Sequence, residues 1–152
     1  MLCWTKFTVN PRDLLRGAET ILVIDWPSKD VPESLALAGF QFVVRGGHGP
    51  ADYSVYELHG GAVEVRHLSH APERADLVYS YRPPGELAGI VATASSVGAK
   101  AVWVQTSPAW SAEDLAVARR LVESSGLIYL DEPDIVGAAR GIVASKQAMN
   151  KE

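Results

Sequence analysis

Ala75-Asp76-Leu77-Val78-Tyr79-Ser80-Tyr81-Arg82-Pro83-Pro84, followed by a helical stripe and then Gly98-Ala99-Lys100-Ala101-Val102-Trp103-Val104-Gln105, is the stretch that decides the fold. Both outer pieces hold short continuous apolar and aromatic runs between turn-forming residues, the pattern of strands covered on both faces. Arg82-Pro83-Pro84 ends the first, because proline removes a ladder donor and fixes φ. Between the two runs Leu87, Ile90, Val91, Ala94 and Val97 recur at offsets of three, four, seven and ten, one stripe of a helix, and Gly98 supplies the stop. Strand, helix and strand in this order predict a right-handed β-α-β crossover and so a parallel pair.

Working outward, the same alternation continues in both directions. Asn10-Pro11-Arg12-Asp13 has the composition of a helix entrance, with Asn as cap, Pro at the first position and Asp near the positive helix end. Ile21 to Ile24 reads as a strand ending at Asp25-Trp26-Pro27-Ser28. Pro32 to Ala38 reads as a two-turn helix closed by Gly39, and Gln41 to Arg45 as a second strand broken by Gly46-Gly47-His48-Gly49-Pro50. Tyr53 to Leu58 and Ala62 to His67 flank His59-Gly60-Gly61, either a small hairpin or an irregular excursion at the sheet edge. After Ala101 to Val104, Ser111 with Asp114 resembles a capping box for a helix reaching Gly126. Leu127 to Leu130 is a further strand, and Ile135, Val136, Ala139, Ile142 and Val143 mark a last helix. The expectation is an α/β fold: a Rossmann-like, doubly wound, mainly parallel five-stranded sheet with helices on both faces. Residues 1–18 form a helical extension, 19–145 the domain and 146–152 a fraying tail. No internal repeat competes with this reading.

Composition narrows the function classes. With 152 residues, 47% hydrophobic and 21% charged, one globular core is expected. A net charge of −4 offers no basic field to displace condensed counterions, which argues against DNA and RNA as partners. The longest apolar runs, of four to six residues, fall far short of the ~20 needed to cross a bilayer. Cys3 is the single cysteine, so no disulfide framework is expected, and the first residues lack the apolar core of a secretory signal; both fit a reducing cytosol. No Gly-x-Ser-x-Gly elbow, Walker lysine loop or His-Glu-x-x-His occurs, so no catalytic residues are assigned. His59, Glu64, His67 and His70 lack spacing that would fix a metal, and a solvated-loop reading is preferred.

The order of motifs resembles the CoA-binding domain family, small Rossmann-like proteins also found as the nucleotide-binding part of acyl-CoA synthetases. The resemblance runs from Glu19 to Arg140. It is carried by the strand ending in Arg82-Pro83, by Gly98-Ala99-Lys100 with Trp103 and Gln105, and by Leu127-Ile128-Tyr129-Leu130-Asp131. It implies binding of CoA or an acyl-CoA, by a domain without catalytic machinery of its own. The departures are specific. The family leaves its first strand through Gly-x-Ser, whereas this chain has Asp25-Trp26-Pro27-Ser28-Lys29 and a shorter loop; its Asn-Pro after the second strand is replaced by Arg45-Gly46-Gly47; its cysteine after Asp131-Glu132 is missing. Glycine lets a backbone approach a pyrophosphate, while Asp25 sets a carboxylate in its place. At about 4 Å two like charges repel by ~1 kcal/mol even in water. The alternative is therefore a degenerate member that has lost the nucleotide site and works through protein contacts, with a homodimer as one form.

In sheets of this kind ligands bind beyond the carboxyl ends of the strands, where the strand order reverses. That rule selects Trp26, Ser28, Lys29, Arg45, Gly46, Tyr81, Arg82, Gln105, Thr106 and Ser107 as candidate ligand contacts. Arg45 either grips a phosphate or is a solvated strand end, and Arg82 either lines the cleft or is a loop residue before two prolines. Gln105, Thr106 and Ser107 either hydrogen-bond a pantetheine amide or cap the following turn. Trp103 lies within its strand and is assigned to the core, whereas Trp26 and Trp110 stand at strand ends, placed to cover a base or close a pocket.

Overall fold

The computed structural model describes residues 10–26, 30–45, 53–68 and 70–150, with the backbone alone at 41, 42, 45 and 145–150. The elements in chain order are α1 (Pro11–Arg16), β1 (Thr20–Ile24), α2 (Asp30–Leu37), β2 (Gln41–Arg45), β3 (Tyr53–His59), β4 (Ala62–Leu68) and β5 (Leu77–Ser80). After a 3₁₀ turn at Pro84–Glu86 come α3 (Leu87–Ser96), β6 (Ala101–Val104), α4 (Ala112–Ser124), β7 (Ile128–Leu130) and α5 (Ile135–Asn150). The strands form one sheet in the order β4-β3-β2-β1-β5-β6-β7. From β2 to β7 all pairs are parallel, while β2-β3 and β3-β4 are antiparallel.

Among the described residues the sheet has seven strands, not five. The stretch left open between hairpin and excursion is a regular hairpin, and β3 adds it to the outer side of β2. Sequence periodicity left it undecided and out of the strand count because β4 is mostly exposed and carries little alternation of burial. The Gly60-Gly61 turn has φ of 59° and 84°, the left-handed values that a two-residue hairpin turn demands and glycine adopts without penalty.

Alternation along the parallel strands sorts the core into two layers. Ile21, Val23, Leu77, Tyr79, Ala101 and Trp103 face α1, α2 and α5, packing with Leu15, Leu35, Ile135 and Ala139. Leu22, Ile24, Val78, Val102 and Val104 face α3 and α4, packing with Leu87, Ile90, Ala94 and Val122. Both faces of the parallel strands are covered, which explains why these strands read as unbroken apolar runs. Trp103 is fully buried, and its indole nitrogen donates to the Pro133 carbonyl at 3.0 Å.

Local chemistry fixes the element ends. Asn10 caps α1 by accepting from the Arg12 amide at 2.9 Å, and Leu15 carries that helix into the core with no exposure. Ser111 and Asp114 form the expected reciprocal capping box at 3.0 and 2.9 Å. α2 starts at Asp30, two residues before the expected proline, and α5 is helical through Asn150, into the stretch expected to fray from Lys146. At the amino edge of the sheet the Asp76 carboxylate accepts from the Glu19 amide at 2.8 Å and the Thr20 amide at 3.0 Å, tying the start of β1 to β5. Burial pushes the Asp76 carboxyl up, but those two amides outweigh it, with Lys100 and Arg74 adding, and its pKa lies below the ordinary 3.8.

Candidate functional site

Register places the strand ends at one level. Ile24 pairs with Arg45 on one side and Ser80 on the other, and Ser80 pairs with Val104. The next residues of β1, β5 and β6, namely Asp25, Tyr81 and Gln105, therefore stand side by side along a single rim. The ladder continues past the strands to hold them, with the Tyr81 amide on the Ile24 carbonyl at 3.1 Å and the Gln105 amide on the Ser80 carbonyl at 2.9 Å. β1 has β2 on one side and β5 on the other, so the chain's winding reverses there and the rim beside β1 and β5 is the reversal point.

Beyond β5 and β6 the rim opens into a cleft of about 300 Å³. Tyr81, Arg82, Pro83 and Pro84 form one wall; Gln105, Ser107, Ala109 and Trp110 form the other, with Asp114 of α4 at its end. Its lining is aromatic and proline-rich, with Gln105 and Ser107 as neutral polar groups and Arg82 and Asp114 as charged ones, the balance expected of a small-molecule pocket. The Asp114 carboxylate is engaged by the capping box. The Ser107 hydroxyl oxygen accepts from the Ala109 amide at 3.3 Å, so it shapes the turn while its own proton stays available as a donor.

Arg82 is the central charge of the rim. Its guanidinium donates to Asp25 at 2.9 Å and to Glu86 at 2.6 Å, with Nε a further 3.2 Å from both Glu86 oxygens. Hydrogen bonds to Glu86 and then Asp25 raise its pKa further above the ordinary arginine range. Asp25 itself has φ of 62° and accepts from the Trp26 amide at 2.9 Å. Aspartate is one of the few non-glycine residues that tolerates this left-handed backbone. Asp25 thus takes the backbone conformation that glycine would take, and the carboxylate that glycine lacks pairs with Arg82, which it shares with Glu86. Glu86 was not foreseen as a partner; its i+4 spacing from Arg82 across the 3₁₀ turn is the signal that could have shown it.

The chain matches the model of the CoA binding domain family over residues 26–133, well over half its length. The chain belongs to the CoA-binding domain family. No curated protein matches it. The family match starts one residue after Asp25 and ends at Pro133, so it takes in both cleft walls and leaves out β1.

Of the candidate contacts for this CoA-binding domain, Tyr81, Arg82, Gln105 and Ser107 converge on the cleft, together with Trp110. Thr106 is not in its lining. Trp26 is half-buried and packs against the core layer beneath α1, α2 and α5, so it is a neighbour of the rim but not a wall of this cleft. Ser28, Lys29 and Gly46 lie outside the described residues, as does the side chain of Arg45, whose backbone ends β2. Among the described residues no group of three His, Cys, Asp or Glu is arranged to hold a metal, and no helix is long and apolar enough to cross a membrane. His59 meets Glu57 at 3.1 Å and the His70 ring nitrogen lies 3.1 Å from the Ala71 carbonyl.

Proposed function

We propose that this CoA-binding domain holds CoA or an acyl-CoA along the carboxyl rim of its parallel strands and acts as a binder without catalytic groups of its own. The observation that carries this reading is the cleft beyond β5 and β6, on the carboxyl rim next to the reversal of the winding and inside the region that matches the family. Its volume of about 300 Å³ suits part of the molecule, not all of it. The pantetheine arm fits its chemistry: methylene segments against Tyr81, Pro84 and Trp110, and amides within reach of Gln105 and Ser107. The phosphates then extend toward β1, where Arg82 supplies a guanidinium and where Ser28, Lys29, Arg45 and Gly46 are candidates for the same role.

Thermal denaturation with and without CoA tests the reading. Ligand at one hundred times its dissociation constant should stabilise the fold by ~2.7 kcal/mol, a shift of several degrees at this size. No shift with millimolar CoA and acetyl-CoA would overturn it. NAD, NADP and ATP in the same series test whether the rim prefers another nucleotide.

A second reading, a member that has given up the nucleotide, draws on one observation: Asp25 and Glu86 already occupy the guanidinium of Arg82. Under that reading Asp25→Asn gains no CoA affinity. Under the first, removing the competing charge frees Arg82 and strengthens binding several-fold.

A further inference from the structure

Among the described residues β4 is the outermost strand of the sheet, and its outer side is unpaired. The opposite edge, β7, has three residues, the short kind that resists pairing; β4 has seven, without proline, lysine or bulge. Glu64, Val65, Arg66 and His67 are exposed in succession, Val65 at 58%. In a two-residue hairpin the residues flanking the turn, His59 and Ala62, exchange hydrogen bonds. Ala62, Glu64, Arg66 and Leu68 therefore aim their amides and carbonyls at β3, and Val63, Val65 and His67 aim theirs outward.

We propose that this edge pairs antiparallel with the same edge of a second copy, about a two-fold axis through Val65. In that register Val65 faces its own counterpart, Val63 faces His67, and Glu64 of each copy faces Arg66 of the other. Two independent requirements meet. The residues with outward backbone groups oppose one another, giving about six hydrogen bonds across the seam, and every charge on the strand's flanks meets its opposite. Within its own chain Glu64 stands directly across from Glu57, a like-charge pair whose Glu57 member is held by Arg66, so the partner copy's arginine on the other side of Glu64 adds a favourable charge contact there. Arg66 donates to Glu57 at 3.0 Å through one nitrogen and keeps further donors on its exposed guanidinium. Moving the axis by one residue, onto Glu64 or Arg66, still opposes outward backbone groups but sets like charges directly together and leaves the other charge of each strand without its partner. Moving it by two shortens the ladder and separates the charge pairs.

The full chain is tested by sedimentation over a concentration series, with Glu64→Arg and Arg66→Glu prepared separately. The wild type should approach twice the chain mass, and each variant should dissociate at least about tenfold more readily, because the two-fold repeats the like-charge contact. An equimolar mixture of the two variants should restore the dimer, since two arginines of one copy then face two glutamates of the other. Hydrogen exchange of the wild type reads the same seam without substitution: the amides of Val63, Val65 and His67 should slow as concentration rises, and those of Glu64 and Arg66 should not respond. A mass that stays at one chain, a dimer indifferent to both variants, or protection of the outward amides that ignores concentration would each overturn the proposal, the last by assigning the edge to a segment of the same chain.

Discussion

Two aspartates stand at opposite ends of the same parallel strands and do different work. Asp76, at the amino edge, spends its carboxylate on two backbone amides of the neighbouring strand's entry. Asp25, at the carboxyl edge, takes a left-handed backbone and turns its carboxylate on an arginine that lines the rim cleft. At one edge the charge completes the fold; at the other it holds the arginine of the rim cleft. An α/β sheet thus separates stability from function by edge, and changes at each edge should register in different measurements.

The largest effect on folding is expected from Asp76→Ala, which removes both charge-assisted bonds and should cost about 2–3 kcal/mol in denaturant unfolding, with CoA affinity unchanged. A loss of affinity with little loss of stability would reverse the roles assigned to the two edges. The same group gives a pH signature. Its folded pKa is depressed, so its contribution is fully present above the unfolded value near 3.8 and is lost as pH falls through the lower folded value. Unfolding curves should therefore show a steeper acid loss in the wild type than in Asp76→Asn.

At the other edge, Asp25→Ala and Asp25→Asn separate backbone from charge. Alanine at φ of 62° should cost about 1–2 kcal/mol, whereas asparagine, which tolerates the same conformation, should leave stability nearly unchanged. Equal stabilities would show that the exit from β1 relaxes freely and that its conformation matters little. The surface ion pair itself contributes little to stability, because both partners are well exposed.

A smaller effect is expected between the edges. The Tyr79 hydroxyl is buried on the α5 side of β5 without a hydrogen-bond partner among the described residues; burial first, then the charge of Asp134, raises its pKa well above the phenol range. Tyr79→Phe removes an unsatisfied polar atom and should leave unfolding free energy equal or higher by up to about 1 kcal/mol. A clear loss would mean that the hydroxyl is satisfied in solution.

The parallel half of the molecule was legible in the sequence because burial on both faces leaves a plain record: the runs around Val23, Val78 and Val102, the helix stripe from Leu87, and the capping box at Ser111 all formed where periodicity and capping chemistry put them. The hairpin was legible only as one of two alternatives, because a strand such as β4, exposed along most of its length, has little burial to write into its sequence. The cleft was half legible. Topology picked out Tyr81, Arg82, Gln105 and Ser107, since every strand in a parallel sheet ends at the same rim. The ion pairs of Arg82 could not be read, because Asp25 and Arg82 lie 57 positions apart and meet only through the register of β1 with β5. The left-handed backbone of Asp25 was equally hidden, because a φ of 62° at a non-glycine residue leaves no mark in the sequence.

Hydrogen exchange of the full chain with and without saturating CoA compares the edges in one measurement. Slower exchange should appear in 81–86 and 105–110 along the carboxyl rim, with the amides of Thr20, Asp76 and Lys100 at the amino edge unchanged. Identical exchange with and without CoA, or protection confined to the amino edge, would contradict binding at the rim.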